Sequence, residues 1–195
     1  LESDVVYPPV DIRKLRITND ELRMKEEDFY LIVSRLVPNK RIDIAIEAFN
    51  KLGLKLKIVG VGKGESRLKG MAKNNIEFLG YLTERELVSY YRSCSALIVP
   101  AEEDFGIVVV EAQGFGKPVL AYRAGGSLET IVENKTGWFF DQLTAESLKN
   151  KLLTIKPENI DSFECEKNAE QFGKKQFLKQ FKMLVEDEYL RYMRI

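Results

Sequence analysis

The chain has 195 residues, of which 45% are hydrophobic, so it can form one domain with a substantial core. Its 30 Lys and Arg residues balance its 30 Asp and Glu residues, and the resulting net charge of zero gives no electrostatic case for nucleic acid as a partner. Because the chain contains no histidine, Ser-His-Asp catalysis, Cys-His catalysis and histidine-ligated metal sites are excluded. Acids, bases and charge-stabilising groups must come from carboxylates, Lys, Arg, Tyr or the backbone.

Cysteine usage and hydropathy predict a cytoplasmic location. The two cysteines, Cys94 and Cys165, are expected to be reduced thiols. No apolar run approaches the roughly 18 residues that a membrane span needs. No signal-peptide pattern is found at the start of the sequence.

Short apolar runs alternate with amphipathic stretches along the chain. The apolar runs predict strands at residues 29–34, 54–60, 76–79, 96–99, 119–122 and 137–140. The amphipathic stretches predict helices at residues 41–52, 65–73, 107–115, 127–133 and 143–156. A further helix is predicted to begin with the capping-box pattern Thr83-Glu84-Arg85-Glu86. Residues 162–194 predict a long helix, with Gly173 as a candidate break.

Strands that are regularly separated by helices predict an α/β fold. We expect a Rossmann-like, doubly wound parallel sheet of about six strands in a three-layer α/β/α arrangement, with a C-terminal helical extension. If the strand order is 3-2-1-4-5-6, the topological switch lies between the first and fourth strands. Arg35 and Lys40 follow the first strand, and Glu103 and Glu111 follow the fourth. The two loops that carry these charged side chains should therefore flank the crevice where such sheets bind ligands.

Two carboxylates lie eight residues apart after the fourth predicted strand, Glu103 in the loop and Glu111 on the next helix. The amides of Phe105, Gly106 and Ile107 fall at the start of that helix, where free N–H groups favour anionic or hydroxyl oxygens. Helical side chains lean toward the N-terminus, so Glu111 should reach back over the first turn. This pattern indicates a sugar or sugar-nucleotide ligand. The alternative is a solvated acidic turn followed by an exposed helix charge.

Cations follow the first predicted strand. Arg35 and Lys40 suit a diphosphate, because charge-assisted hydrogen bonds contribute about 1.5–3 kcal/mol each. The alternative is a solvated turn, and Arg41 is expected to be a bystander. Glycines follow the second strand in Gly60-Val61-Gly62-Lys63-Gly64-Glu65, but Glu65 stands where a dinucleotide-binding fingerprint needs glycine. We expect a tight turn under a ligand there. Gly125-Gly126 is a phosphate-facing turn, a helix C-cap or a plain loop.

Together these motifs resemble the donor-binding half of the retaining family-4 glycosyltransferases, whose GT-B architecture has two Rossmann-like domains. The likeness runs through nearly the whole chain in order. The matching positions are Arg35, Lys40, Gly80-Tyr81-Leu82, Glu103, Glu111, Gly116-Lys117-Pro118-Val119 and Gly125-Gly126-Ser127-Leu128-Glu129-Thr130. More narrowly, the stretches 7–11, 38–43 and 102–107 look like bacterial or archaeal mannosyltransferases of surface-polysaccharide assembly.

The resemblance implies a role for each matching side chain. Arg35 and Lys40 would hold the donor diphosphate, and Glu103 would bind the transferred sugar. These three are the candidate catalytic residues. The sugar would also meet the amides of Phe105, Gly106 and Ile107. The family pattern has Lys-Gly where this chain has Lys40-Arg41.

The same resemblance places the nucleoside. Glu111 would bind the ribose hydroxyls, and the base would contact the backbone of Gly80, Tyr81 and Leu82. The donor would be GDP-mannose, with no metal cofactor, because cations would take over the stabilisation of the departing diphosphate.

The resemblance also implies a domain organisation. Residues 1–195 would form one nucleotide-sugar-binding domain, with 1–28 as a hinge segment and 161–195 as C-terminal helices. An N-terminal acceptor domain would be absent, so the isolated domain should transfer little. The full enzyme would act on a glycan or a lipid-linked acceptor, with peripheral association at the cytoplasmic face of the membrane.

Three other readings stay open at this point. The chain could be a relative of GT-B sugar phosphorylases or of nucleotide-sugar epimerases. An activity that depends on inorganic phosphate would favour this alternative. It could be a non-catalytic nucleotide-binding or interaction module. An NAD dehydrogenase comes last, because the glycine pattern fails and histidine is missing.

Overall fold

A parallel sheet of six strands forms the centre of the computed structural model, which describes residues 5–11 and 28–193. The strands are β1 Tyr30–Val33, β2 Leu56–Val59, β3 Ile76–Gly80, β4 Ala96–Val99, β5 Val119–Tyr122 and β6 Gly137–Phe140. Their order is β3-β2-β1-β4-β5-β6, and each neighbouring pair is parallel. The predicted doubly wound topology is confirmed, with its switch point between β1 and β4.

Helices connect the strands. They are α1 Ile42–Leu52, α2 Glu65–Met71, α3 Glu84–Ser93, α4 Ile107–Gly114, α5 Ser127–Thr130, α6 Ala145–Leu152, α7 Ser162–Glu170 and α8 Lys174–Met193. Short 3₁₀ turns occupy Pro38–Lys40 and Pro157–Asn159. The start of α3 is the predicted capping box, since Thr83 accepts from the Glu86 amide and the Glu86 side chain accepts from the Thr83 amide.

Side chains alternate between the two faces of the sheet, and both faces are covered. Ile32 and Ile98 point into a core shared with α1, α2 and α6. Leu31 and Leu97 point into a second core, shared with α3 and α4. The predicted three-layer arrangement is therefore confirmed.

Some predicted helix boundaries were wrong. The predicted helix at 127–133 ends at Thr130, because Ile131 already has an extended backbone. The helix predicted from residue 143 begins only at Ala145, where the Thr144 side chain caps it by accepting from the Ser147 amide. By contrast, the candidate break at Gly173 is confirmed, because one C-terminal helix ends at Glu170 and the next begins at Lys174.

The two C-terminal helices differ in packing. Asn168 of α7 is buried, and its amide donates to Gln113 Oε1 at 2.6 Å and to the Thr130 carbonyl at 2.8 Å. This network joins α7 to α4 and α5. By contrast, α8 has no buried side chain. Within the described residues, no helix is both long and apolar enough to cross a membrane.

Candidate functional site

The loops that follow β1 and β4 meet through their charged side chains. Lys40 Nζ lies 2.5 Å from Glu103 Oε2, and the two side chains are only 16% and 18% exposed. The pair spans the switch point, because Lys40 ends the turn after β1 and Glu103 follows β4. Lys40, which the resemblance assigns to the diphosphate, is thus in direct contact with Glu103, which it assigns to the sugar.

Arg35 lies on the same loop as Lys40 but in a different environment. Its side chain is exposed, and among residues 5–11 and 28–193 no ion pair or side-chain hydrogen bond holds its guanidinium. The site therefore offers one cation that is already neutralised and one that is ready to pair with an anion.

Arg41 stands where the family pattern has glycine, and its backbone has a conformation that suits glycine. Its φ of 46° and ψ of 35° lie in the left-handed region, which glycine adopts most readily. Its guanidinium turns toward Asp43, with Nε 3.3 Å from Oδ1. Arg41 thus forms the bend between the 3₁₀ turn and α1 that glycine would otherwise form.

Glycines of the β2 loop fix the backbone of the β1 loop. A Cβ at Gly60 would lie 1.9 Å from the Ser34 carbonyl oxygen, and one at Gly62 would lie 2.4 Å from the Leu36 carbonyl oxygen. The Leu36 amide also donates to the Val61 carbonyl at 3.0 Å. These glycines thus let the β2 loop pack closely on the chain segment that carries Arg35. The predicted tight turn under a ligand stays a prediction.

A second glycine pair fixes the β4 loop in the same way. The Gly126 amide donates to the Glu103 carbonyl at 2.7 Å. A Cβ at Gly125 would lie 2.3 Å from the Glu103 carbonyl oxygen, and a Cβ at Gly126 would lie 2.5 Å from the Asp104 carbonyl oxygen. The plain loop, one of the predicted roles of Gly125-Gly126, fits these contacts, and the phosphate-facing role stays a prediction. The pair supports the backbone beneath Glu103.

The start of α4 presents backbone donors next to Glu103. Gly106 precedes the helix with a φ of 80°, a conformation that suits glycine. In the described part of the chain, the amides of Phe105, Gly106 and Ile107 have no backbone acceptor outside regular helix and strand bonding. These donors can meet oxygen atoms of a ligand.

The Phe105 ring belongs to an aromatic cluster. Its centroid lies 5.7 Å from that of Tyr7 and 5.6 Å from that of Phe172. A hydrogen bond from the Tyr7 hydroxyl to Glu129 raises the pKa of Tyr7. Tyr7 of the predicted hinge segment therefore packs beside the Glu103 loop, while residues 1–4 and 12–27 of that segment lie outside the described part.

Glu111 is half-buried on α4, in agreement with the expectation that it is not freely exposed. The Tyr91 hydroxyl donates to Glu111 Oε2 at 2.8 Å. Burial raises the pKa of Glu111, and the bond from Tyr91 acts in the opposite direction. The carboxylate lines a cavity of about 160 Å³ together with Val10, Asp11, Glu84, Leu87, Val88 and Tyr91.

The segment predicted to contact a base lies at the end of β3. Gly80 has a φ of 68°, and its carbonyl accepts from the Gly60 amide at 2.7 Å. Tyr81 is 77% exposed, whereas Leu82 packs partly against the second core. From β3 to β4 there are three strand spacings, or roughly 14 Å. The predicted residues thus line an elongated edge rather than one compact pocket.

Sequence reasoning missed two tyrosines that contact the predicted residues. Tyr91 holds Glu111, and Tyr7 packs on Phe105. The apolar periodicity of α3 predicts that Tyr91 is buried, but it gives no partner for the hydroxyl.

Comparisons with known proteins identify a family for the chain. Residues 14–176 match the family model of glycosyl transferases group 1. An uncharacterised glycosyltransferase of Methanocaldococcus jannaschii is 36% identical over 170 residues, which are 84% of this chain and 47% of that protein. A GDP-mannose-dependent monoacylated alpha-(1-6)-phosphatidylinositol monomannoside mannosyltransferase of Corynebacterium glutamicum is 32% identical over 143 residues, 65% of this chain and 37% of that protein.

Solved structures show the same fold. The HepE protein of Anabaena, crystallised with UDP and glucose, has a TM-score of 0.79 at 22% identity over 95% of this chain and 56% of its own. A glycosyltransferase from Rickettsia africae has a TM-score of 0.81 at 20% identity over 94% of this chain and 56% of its own. The chain spans about half the length of these proteins or less. Because the family model covers most of the sequence, the chain belongs to the group 1 glycosyltransferases.

Proposed function

We propose that the chain is the donor-binding domain of a retaining family-4 glycosyltransferase that transfers mannose from GDP-mannose to a glycan or a lipid-linked acceptor. The observation that carries the proposal is the contact between Lys40 and Glu103 at the switch point, with the exposed Arg35 on the same loop as Lys40. A sugar diphosphate needs cations for its phosphates and an acceptor for its hydroxyls at adjacent positions. This site has both.

The chemistry that these groups support is loss of a diphosphate. When the bond between the anomeric carbon and the phosphate oxygen breaks, its electron pair leaves with the diphosphate. Arg35 and Lys40 would stabilise the negative charge that develops, and one such donor is typically worth about 3–4 kcal/mol. In this proposal the two cations replace a metal ion. Glu103 and the amides before α4 would hold the positively charged sugar.

On donor binding, the ion pair between Lys40 and Glu103 would break. Phosphate oxygens would compete with Glu103 for Lys40, and the freed carboxylate would then accept hydrogen bonds from sugar hydroxyls. Retention of configuration would follow if the acceptor attacked from the face that the diphosphate leaves.

Support for mannose and guanine comes from sequence likeness. The relative from Corynebacterium glutamicum is described as GDP-mannose-dependent, whereas HepE was crystallised with UDP. The acceptor would be bound by a further domain, as in two-domain GT-B enzymes, and activity at the cytoplasmic face of a membrane belongs to the same proposal.

Isothermal titration calorimetry with GDP-mannose, GDP, UDP-glucose and UDP tests the proposal. We expect GDP-mannose to bind, and we expect Arg35→Ala and Lys40→Ala each to weaken binding about tenfold or more. Lys69→Ala is the matched control, because Lys69 also makes a short ion pair, with Glu65 at 2.6 Å on α2.

Other results would contradict the proposal in different ways. If Arg35→Ala and Lys40→Ala bind GDP-mannose as tightly as the Lys69→Ala control, the assignment of Arg35 and Lys40 to the donor site is refuted. Tighter binding of the UDP compounds would refute the guanine assignment. No binding at millimolar concentration would favour an interaction module, and sugar transfer that depends on inorganic phosphate would favour a phosphorylase.

A further inference from the structure

Both the ring and the hydroxyl of Tyr91 are held by contacts, although Tyr91 is not among the predicted site residues. Its side chain is fully buried, and its ring stacks on Phe115 with centroids 5.5 Å apart and planes at 16°. Its hydroxyl donates to Glu111 Oε2 at 2.8 Å. A buried hydroxyl in this position leaves the Glu111 carboxylate little freedom to rotate.

Glu111 has a second oxygen that remains available. Within residues 5–11 and 28–193, no hydrogen bond or ion pair holds Glu111 Oε1. The carboxylate borders the cavity of about 160 Å³ between α3, α4 and Val10. A carboxylate accepts hydrogen bonds at both oxygens, so Oε1 can accept from ligand hydroxyls while Oε2 is held.

The hydrogen bond also favours the ionised form of Glu111. Burial alone disfavours that form, and the Tyr91 hydroxyl opposes the effect. An ionised carboxylate makes stronger hydrogen bonds to hydroxyl groups than a neutral one. Tyr91 thus affects both the direction and the charge of the acceptor.

We propose that Tyr91 is a positioning residue that orients Glu111 so that its free oxygen accepts hydrogen bonds from the ribose 2′- and 3′-hydroxyls of the donor nucleotide. The inference rests on the proposed function, since it assumes that a nucleotide binds along this edge. It adds a residue, on a different helix, to the determinants of ribose recognition.

Titration with ribose-modified nucleotides tests the proposal. GDP and UDP are each compared with the 2′,3′-dideoxy form, which lacks both hydroxyls. We expect the wild-type chain to bind the ribonucleotide at least about tenfold more tightly, because one lost charge-assisted hydrogen bond corresponds to about that factor. In Tyr91→Phe the ratio should fall to about one- to threefold, while affinity for the dideoxy form changes little.

The control is Tyr90→Phe, on the neighbouring position of the same helix. Tyr90 is half-buried, and its ring contacts Phe29 rather than the cavity. This variant should keep the wild-type ratio. Because both nucleotides are titrated into the same preparation, any loss of folded protein lowers both signals together and leaves the ratio unchanged.

The outcomes separate this inference from the proposed function. If the wild-type chain binds ribonucleotides preferentially and Tyr91→Phe keeps that preference, the role of Tyr91 is refuted while the proposed function stands. If the wild-type chain binds both forms equally, ribose recognition by Glu111 is refuted, and Tyr91 with it. If no nucleotide binds, both proposals are refuted.

Discussion

Lys40 and Glu103 form a short ion pair across the switch point of the sheet, although 63 residues separate them in the chain. Each side chain is mostly buried, so neither is simply a solvated surface charge. A ligand that brings phosphate groups to Lys40 must therefore displace Glu103 or share the lysine with it. In the proposed function, the pair therefore makes phosphate binding by Lys40 and sugar binding by Glu103 dependent on each other.

Glu103→Gln should increase affinity for the nucleoside diphosphate and reduce the preference for the sugar-bearing donor. The first effect follows because Lys40 loses its competing anion, and we expect about threefold to tenfold tighter GDP binding. The second follows because a neutral amide is a weaker acceptor for sugar hydroxyls. Calorimetry with GDP and GDP-mannose measures both.

The matched control for this substitution is Glu65→Gln, which breaks the comparable ion pair to Lys69 on α2. It should change neither affinity. Weaker binding of both ligands to Glu103→Gln would show that the ion pair preorganises Lys40 instead of competing for it.

Gly125→Ala should disturb the Glu103 loop. The new Cβ would lie 2.3 Å from the Glu103 carbonyl oxygen, and the φ of Gly125 is 57°, so the substitution adds a clash to backbone strain. We expect donor affinity to fall at least about tenfold, since small displacements of positioning groups have effects of this size or larger. Thermal unfolding should also show a lower Tm than in the wild type.

Gly53→Ala is the control that separates the effect of backbone strain from the effect of the steric clash at Gly125. Gly53 has a similar φ of 69°, but a Cβ there meets nothing within 4 Å. It should lower stability by about 1–2 kcal/mol, the usual cost of a left-handed L-residue, and leave donor affinity unchanged. Equal loss of affinity in the two variants would rule out the proposed support of Glu103 by Gly125.

Arg41→Gly should stabilise the chain. Arg41 has a left-handed backbone, and glycine removes that strain, although it increases the entropy of the unfolded chain. We expect a net gain of about 0.5–1 kcal/mol in the free energy of unfolding, measured by chemical denaturation. Donor affinity should not change, because the Arg41 guanidinium turns toward Asp43.

Asn134→Gly is the comparison for this prediction. Asn134 is the other non-glycine residue with positive φ in the described chain, at 64°. Asparagine tolerates this conformation better than arginine, so its replacement should gain less. A larger gain at Asn134 would contradict the explanation by strain.

The sheet was predictable from sequence because its strands are buried on both faces. Runs such as residues 96–99 are apolar throughout and are bounded by polar or glycine-containing loops, so they differ clearly from the amphipathic helices. Helix ends were less predictable. The end of α5 at Thr130 depends on packing around Thr130 and Asn168, which local sequence does not describe.

The site was predictable only in part, for a related reason. The strand order placed Arg35, Lys40 and Glu103 near the switch point before any contact was known. The roles of Gly60 and Gly125 were not predictable, since a glycine shows that the backbone is permissive but not which neighbour comes close. The partner of Glu111 is likewise a long-range contact, 20 residues away on another helix.

The pKa of Glu111 predicts how stability depends on pH. Burial raises this pKa in the folded state above the ordinary value of 4.5, despite the opposing bond from Tyr91. A carboxyl group whose folded pKa is raised stabilises the fold fully only below its unfolded pKa, and that contribution is lost as the pH rises through the folded pKa. The wild-type chain should therefore lose stability relative to Glu111→Gln as the pH rises from below about 4.5 toward neutrality.

Thermal unfolding of both chains between about pH 4 and pH 8 measures the difference. Glu86→Ala gives a control of opposite sign, because the capping box with Thr83 lowers the pKa of Glu86. The stabilisation from Glu86 should be present above its unfolded pKa and lost as the pH falls. A Glu111→Gln chain that loses stability relative to the wild type on going to neutral pH would mean that the bond from Tyr91 outweighs burial, so that the ionised form of Glu111 is the one the fold favours.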